Sequence, residues 1–222
     1  MQEILRFDSI VVYRAVLGMV RTNTYIAVDQ ASSQAVVVDP ADRGSWIVEQ
    51  AQQHSWTISS VWFTHAHFDH IAGAAAIADA LVDPVATALH PDDLPLFQQL
   101  GGAELFGVAG IEITGDPDLE LEHGLKLKVG SSSFLVRHTP GHSPGHVIFV
   151  HEEQPFVFCG DLIFQGGVGR TDLPGGDWGV LVKSIRSEIY TLPPDTVLLP
   201  GHGEPTTVGA EQSENPYVQG VI

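Results

Sequence analysis

Five short apolar runs in this chain each end in a residue able to hold a cation: Val38-Asp39-Pro40, Phe63-Thr64-His65, Arg137-His138-Thr139-Pro140-Gly141-His142, Cys159-Gly160-Asp161 and Leu199-Pro200-Gly201-His202. A strand end is held rigidly by its scaffold, so a fold that gathers these ends at one edge assembles a site from all of them. The same runs limit the architecture. Enrichment in β-branched and aromatic residues between turn formers predicts strands at Ile10 to Ala15, Tyr25 to Val28, Ala35 to Val38, Ser60 to Phe63, Val85 to Ala88, Leu125 to Val129, Phe134 to Arg137, His146 to Val150, Phe156 to Cys159 and Thr196 to Leu199. Helices are predicted at Ser45 to His54, Ile71 to Leu81, Pro91 to Leu100 and Trp178 to Tyr190. Strands outnumber helices, and the helices lie between strand groups. That pattern favours an α/β fold of two face-to-face sheets with external helices over a single doubly wound sheet. No repeat, low-complexity tract or linker interrupts residues 1–222, so one domain is expected.

Composition narrows the chemistry. Of 222 residues 44% are hydrophobic, enough to bury a core without staples. Ten Lys and Arg against 27 Asp and Glu leave −17, which argues against a partner held by bulk charge, whether nucleic acid or an anionic membrane. The longest mostly apolar stretch, His70 to Val82, carries Asp79 and is shorter than the roughly 18 residues of a membrane span. Met1 to Ile10 lacks the basic flank and cleavage site of a secretory signal, so a cytoplasmic location is expected. The single cysteine, Cys159, excludes an internal disulfide and any multi-thiolate metal site. Its neighbourhood holds no basic residue to activate it, so it reads as a small buried side chain. Eleven histidines are then the feature to explain.

Four of the donors stand together in His65-Ala66-His67-Phe68-Asp69-His70, between a predicted strand and a predicted helix. His65 and His67, at i and i+2 of an extended segment, project to the same side and can chelate one ion. Asp69 and His70 fall where the chain turns into the helix and suit a second ion. His142 in a Gly/Pro turn, Asp161 after Gly160, and His202 between Gly201 and Gly203 complete two sets, and the carboxylate of Asp161 has two oxygens with which to bridge them. Imidazole and carboxylate without thiolate suit two divalent ions, zinc first, with iron and manganese as alternatives. Asp39 is read as a support for a metal histidine, and His146 as a buried hydrogen-bonding residue.

As a set, the VVVDP segment with Asp39, the run THAHFDH, TPGHSPGH, CGD and PGH occur over residues 22–203 in an order that resembles the metallo-β-lactamase fold superfamily, and within it the glyoxalase II-like hydrolases. The resemblance implies a four-layer αββα sandwich with the metals at one edge. It implies that His65, His67 and His142 bind the first metal, that Asp69, His70 and His202 bind the second, and that Asp161 bridges them. The segment GRTDLPGGD at Gly169 to Asp177 and the ending TTVGxExxxNPY resemble a compact bacterial subgroup. Only 20 residues follow His202, so the separate helical glutathione-binding domain of the larger relatives is not expected.

In such a site two cations make hydroxide available at neutral pH as a bridging nucleophile, with Asp69 as the catalytic group that orients or accepts its proton. A thiolate leaving group needs little protonation, so thioester hydrolysis suits the site. The resemblance implies S-2-hydroxyacylglutathione, such as S-lactoylglutathione, as the substrate. By position Arg170 resembles the lysine that meets the glutathione carboxylate in those enzymes. The apolar insert Leu94 to Gly110 reads as either a lid or a packed loop. The competing readings are a persulfide dioxygenase with one iron on His65, His142 and Asp161, and a non-catalytic metal-binding protein on the same fold. The sequence carries no sign of an oligomeric state.

Overall fold

The computed structural model describes residues 1–113 and 115–218. The first sheet runs in chain order: β1 (Gln2–Arg6), β2 (Ile10–Leu17), β3 (Thr22–Asp29), β4 (Gln34–Val38), β5 (Thr57–Trp62), β6 (Ala86–Leu89) and β7 (Leu119–Glu120). Its first four strands form an antiparallel meander and β4 to β7 are parallel. The second sheet holds β8 (Lys126–Val129), β9 (Ser132–His138), β10 (Val147–His151) and β11 (Phe156–Gly160). A short ribbon of β12 (Ile163–Phe164) and β13 (Gly167–Val168) follows, and the second sheet is completed by β14 (Val197–Pro200) and β15 (Thr206–Thr207). Its pairs are antiparallel except β11 with β14.

Strict alternation along the strands builds three apolar layers. Val36 and Val38 of β4 face the second sheet, while Ala35 and Val37 face outward. Phe156 and Phe158 of β11 likewise point inward, and Val157 and Cys159 outward. Between the sheets Trp62 lies 5.4 Å from the ring of Phe134 and 5.2 Å from that of Phe149. Helices α1 (Gly44–Gln53), α2 (Phe68–Ile71), α3 (Ala74–Ala80) and α4 (Leu94–Gln98) belong to the first half of the chain, and Ile47, Ile77 and Phe97 cover the outer face of the first sheet. Helices α5 (Trp178–Ser184), which continues as a π-helical turn through Ile189, and α6 (Val208–Glu214) cover the second with Leu181, Ile185 and Val208. The αββα order is the one expected. No described helix is long and apolar enough to cross a membrane.

Two of the expected helices are broken. The one at Ile71 to Leu81 is interrupted because the Gly73 N–H leaves the helical ladder and donates to Pro40 O at 2.7 Å. The one at Pro91 to Leu100 opens as a 3-10 turn, Pro91–Asp93, before α4. Strands β1, β7, β12, β13 and β15 and helix α6 were not predicted.

Asp29, at the end of β3, ties the first sheet to the β8–β9 turn. Its carboxylate accepts from the N–H and hydroxyl of Ser131 at 3.1 and 2.6 Å, and from those of Ser32 at 2.8 and 2.7 Å. Burial pushes the carboxyl up, but these four donors outweigh it and hold the pKa at about 2. A depressed carboxyl contributes stability above its unfolded pKa near 4, lost as pH falls toward 2; the contribution is about 1–2 kcal/mol. Asp29→Ala is therefore expected to destabilise by that amount at pH 7, with the gap from the parent closing toward pH 2 in urea unfolding. An equal gap at both pH values would assign the effect to packing.

Candidate metal centre

Every predicted ligand arrives from the carboxyl end of a strand. After β5 the chain runs through His65 and His67 into α2, whose first turn carries Asp69 and His70. His142 comes from the loop after β9, Asp161 directly follows β11, and His202 follows β14. The parallel pairs β4/β5 and β11/β14 put Asp39, His65, Asp161 and His202 at one edge of the sandwich.

The seven residues meet there. His67 Nδ1 lies 2.8 Å from His142 Nε2, and His142 Nε2 lies 3.2 Å from His65 Nε2. On the other side His70 Nε2 is 3.5 Å from Asp69 Oδ2, and His202 Nε2 is 3.3 Å from the same oxygen. Asp161 stands between the groups, with Oδ2 3.6 Å from His142 Nε2 and 3.5 Å from His202 Nε2, and Oδ1 3.4 Å from His70 Nε2. Donors from His65, His67 and His142, and separately from Asp69, His70 and His202, lie close enough to share one ion each. Gly201 permits this approach, because a Cβ there would overlap Asp161 Oδ1.

The hydrogen bonds around the rings decide which nitrogens are bare. Thr64 Oγ1 donates to Asp39 Oδ2 at 2.7 Å, so its lone pair receives His65 Nδ1–H at 3.0 Å and His65 Nε2 carries no proton. His142 Nδ1 donates to Arg170 O at 2.8 Å, which leaves its Nε2 bare as well. Two lone pairs thus face each other at 3.2 Å, an arrangement that repels unless a cation lies between. Burial, then the neighbouring imidazoles, drive His65 well below its ordinary pKa, and burial lowers His142 as well, so neither takes a proton to relieve it; His67 beside them is held at about 3. The second set shows the reverse. Burial lowers His70 and His202, but the carboxylates of Asp69 and Asp161 prevail and raise them to about 9 and about 10. His70 Nε2 and Asp161 Oδ1 are buried without a hydrogen-bond partner. Unpartnered nitrogen and oxygen donors beside excess carboxylate fit divalent cations.

Asp39 and His146 act behind these residues. Asp39 receives His70 Nδ1–H at 2.9 Å and the Thr64 N–H at 2.7 Å, fixing the His70 ring. His146 bonds Thr139 Oγ1 at 2.8 Å through Nδ1, while its Nε2 accepts the Asp161 N–H at 3.1 Å. Cys159 is buried in the outer apolar layer, and burial pushes its thiol well up. His138 Nε2–H donates to Pro144 O in its own loop at 2.8 Å, and the ring stacks on His90 with centroids 4.0 Å apart.

Several supports escaped the sequence. Asp93 is fully buried, and its carboxylate accepts from the Ala66 N–H at 2.9 Å, the Ser143 hydroxyl at 2.8 Å and the Gly145 N–H at 2.6 Å, so it joins the His65–His67 loop to the His142 loop. Thr22 Oγ1 donates to Asp69 Oδ2 at 2.6 Å. Asn23 holds the His202 loop through Pro200 O and Gly203 O, both at 2.9 Å.

Arg170 lines a small cavity of about 150 Å³ together with His67, Asp69, His142, Asp161 and His202. Its guanidinium is already paired bidentately with Asp172, at 2.7 and 2.8 Å. The Leu94 to Gly110 insert packs against the metal loop: Gly101 has φ 65°, and a Cβ there would overlap the Phe68 backbone. The Phe106 ring lies 5.4 Å from that of Phe68.

The sequence profile of the metallo-beta-lactamase superfamily matches residues 17–202, and the chain belongs to that superfamily. Among its relatives, hydroxyacylglutathione hydrolase GloC of Haemophilus influenzae is 36% identical over 156 residues, 70% of this chain and 73% of that protein. The probable metallo-hydrolase YqgX of Bacillus subtilis is 34% identical over 211 residues, 93% of this chain and 97% of that one. The crystal structure of TTHA1623 in a di-iron-bound form superposes with a TM-score of 0.83 at 39% identity, covering 92% of this chain and 99% of the other. Fold, donor clusters and relatives together make the chain a metallo-hydrolase of this superfamily.

Proposed function

We propose that the protein hydrolyses thioesters of glutathione, S-2-hydroxyacylglutathione in particular, with one ion on His65, His67 and His142, a second on Asp69, His70 and His202, and Asp161 shared between them. The observation that carries this reading is Asp161 itself, within 3.6 Å of donors from both sets. When bound, a pair of divalent cations lowers the pKa of water toward neutrality and polarises an acyl carbonyl. The chain supplies the rest. Asp69 is held through Oδ2 by the Thr22 hydroxyl, which leaves Oδ1 to orient the attacking water and take its proton. As the water oxygen bonds to the acyl carbon, the C–S bond breaks, and the proton on Asp69 is available to the departing thiolate. The products are a 2-hydroxy acid and glutathione. The likeness to GloC supports the glutathione carrier.

Elemental analysis after loading, alongside S-lactoylglutathione hydrolysis, tests the proposal. Two ions per chain with turnover are expected. One iron per chain, with oxygen uptake on glutathione persulfide in place of hydrolysis, would transfer the site to the dioxygenase reading; the di-iron form of TTHA1623 makes iron worth loading beside zinc and manganese. Full occupancy without turnover of any thioester would leave only metal binding.

Arg170 is proposed as the anchor of the glutathione carboxylate. Its pairing with Asp172 sets a specific expectation: Asp172→Asn frees the guanidinium and lowers KM for S-lactoylglutathione, while Arg170→Ala raises KM severalfold with kcat nearly constant. A small uncharged thioester should respond to neither change. Equal responses on both substrates would make the pair structural.

A further inference from the structure

Beside the donor cluster lies a second and larger cavity, about 460 Å³, that the reaction as described does not use. It starts at His67 and extends under the insert, between Leu96, Leu105, Phe106, Val108, Ile111 and Leu173. Among the described residues that line it there is no lysine or arginine, and Glu104 is the one carboxylate. Leu105 and Phe106 are 65% and 44% exposed, so the chain itself leaves this apolar wall uncovered. The two cavities share His67, Phe106 and Leu173, but Arg170 lines only the smaller one.

A thioester bound at the donors has two arms of different character. Glutathione carries carboxylates and an ammonium, and placing them against this apolar wall would leave them desolvated and unpaired. The side with Arg170 is the one that can receive them. The acyl arm is then directed toward the larger cavity. Lactoyl offers that cavity a single methyl, whereas an apolar cavity of only about 150 Å³ takes a whole benzene ring. The insert is pinned at Gly101 against the metal loop, so the wall is held at a fixed distance from His67.

We infer that the cavity under residues 94–111 is an acyl-side subsite for a large apolar group, so that aromatic or branched 2-hydroxyacyl thioesters, and not the lactoyl thioester, are the preferred substrates. The inference rests on the proposed glutathione thioester hydrolysis and assigns its acyl class. A hydrophobic subsite discriminates by roughly tenfold or more for a group of this size.

The test uses the metal-loaded full chain and two readouts. The first is calorimetric binding of S-benzylglutathione against S-methylglutathione, thioethers that cannot be hydrolysed. The second is kcat/KM for S-mandeloylglutathione against S-lactoylglutathione. Both ratios are expected to be at least about tenfold in favour of the aromatic ligand. Leu105→Glu, on an exposed side chain that folding does not require, should bring both ratios below about threefold by placing a charge in the subsite. Ratios near one in the parent, ratios unmoved by Leu105→Glu, or no binding of either thioether would overturn the inference. Tight, Leu105-dependent binding of S-benzylglutathione without hydrolysis of either thioester would remove the proposed reaction and keep the subsite. Hydrolysis of both thioesters at equal efficiency would do the opposite.

Discussion

Asp161→Asn is expected to lower turnover by about 10³-fold and to cost at least one of the two ions proposed, a larger loss than removal of any single histidine. The side chain faces His142 on one side and His70 and His202 on the other, so one lost charge is felt by both donor sets. Shape is not the reason, since asparagine has nearly the same outline. Nor does the backbone shift, because the Asp161 N–H stays bonded to His146 Nε2. A His65→Ala variant, by contrast, removes a donor from the first set and leaves Asp69, His70 and His202 in place. Metal content and kcat measured on both variants separate the cases. An Asn variant that retained two ions and near-normal turnover would mean that Asp161 is not shared.

Asp93→Ala is expected to be the most damaging change outside the donor cluster. It strands the Ala66 N–H, the Ser143 hydroxyl and the Gly145 N–H in a dry interior, and at about 1–3 kcal/mol for each unsatisfied group the total is roughly 3–5 kcal/mol after some relaxation. The two loops it joins carry His65, His67 and His142, so affinity for the first ion should fall while the second set is spared. Urea unfolding of the metal-free protein reads the stability term, and metal titration reads the other. Asp93→Asn should recover part of the stability but little of the affinity, since its NH₂ opposes one of three donors. If stability falls and both ions bind as before, Asp93 serves folding alone.

The contrast between Asp161 and Asp93 explains what the sequence could convey. Asp161 follows an apolar run and a glycine, and His65 to His70 form one compact motif, so their local context already states their chemistry. Asp93 sits in Pro91-Asp92-Asp93, which reads as an ordinary acidic helix start, and only the folded chain brings residues 66, 143 and 145 against it. Thr22 and Asn23 are of the same kind: polar residues in a strand whose partners lie 47 and 177 residues away. Enrichment in β-branched and aromatic residues located the central strands well, because β4, β10 and β11 are apolar on both faces and bounded by turns. It failed for β1 and β7, edge strands with little buried surface, and for the interruption at Gly73, whose cause is a carbonyl more than 30 residues earlier. The Arg170 to Asp172 pair was visible as neighbouring letters, but side-chain geometry decides that they meet.

The donors of each set come from distant stretches of the polypeptide: His65 meets His142, and Asp69 meets His202. A chain emerging from the ribosome therefore lacks His202, the last donor of the second set, until β14 is synthesised and seated beside β11. A chain that stops short of His202 leaves Asp69 and His70 without their third partner, so the second set is completed only near the end of synthesis. With ions bound as proposed, the two donor sets would fasten both halves to one another, and opening either half would mean releasing them. Resistance to proteolysis should thus follow the free concentration of the metal in the surrounding solution as well as the strength of the apolar layers.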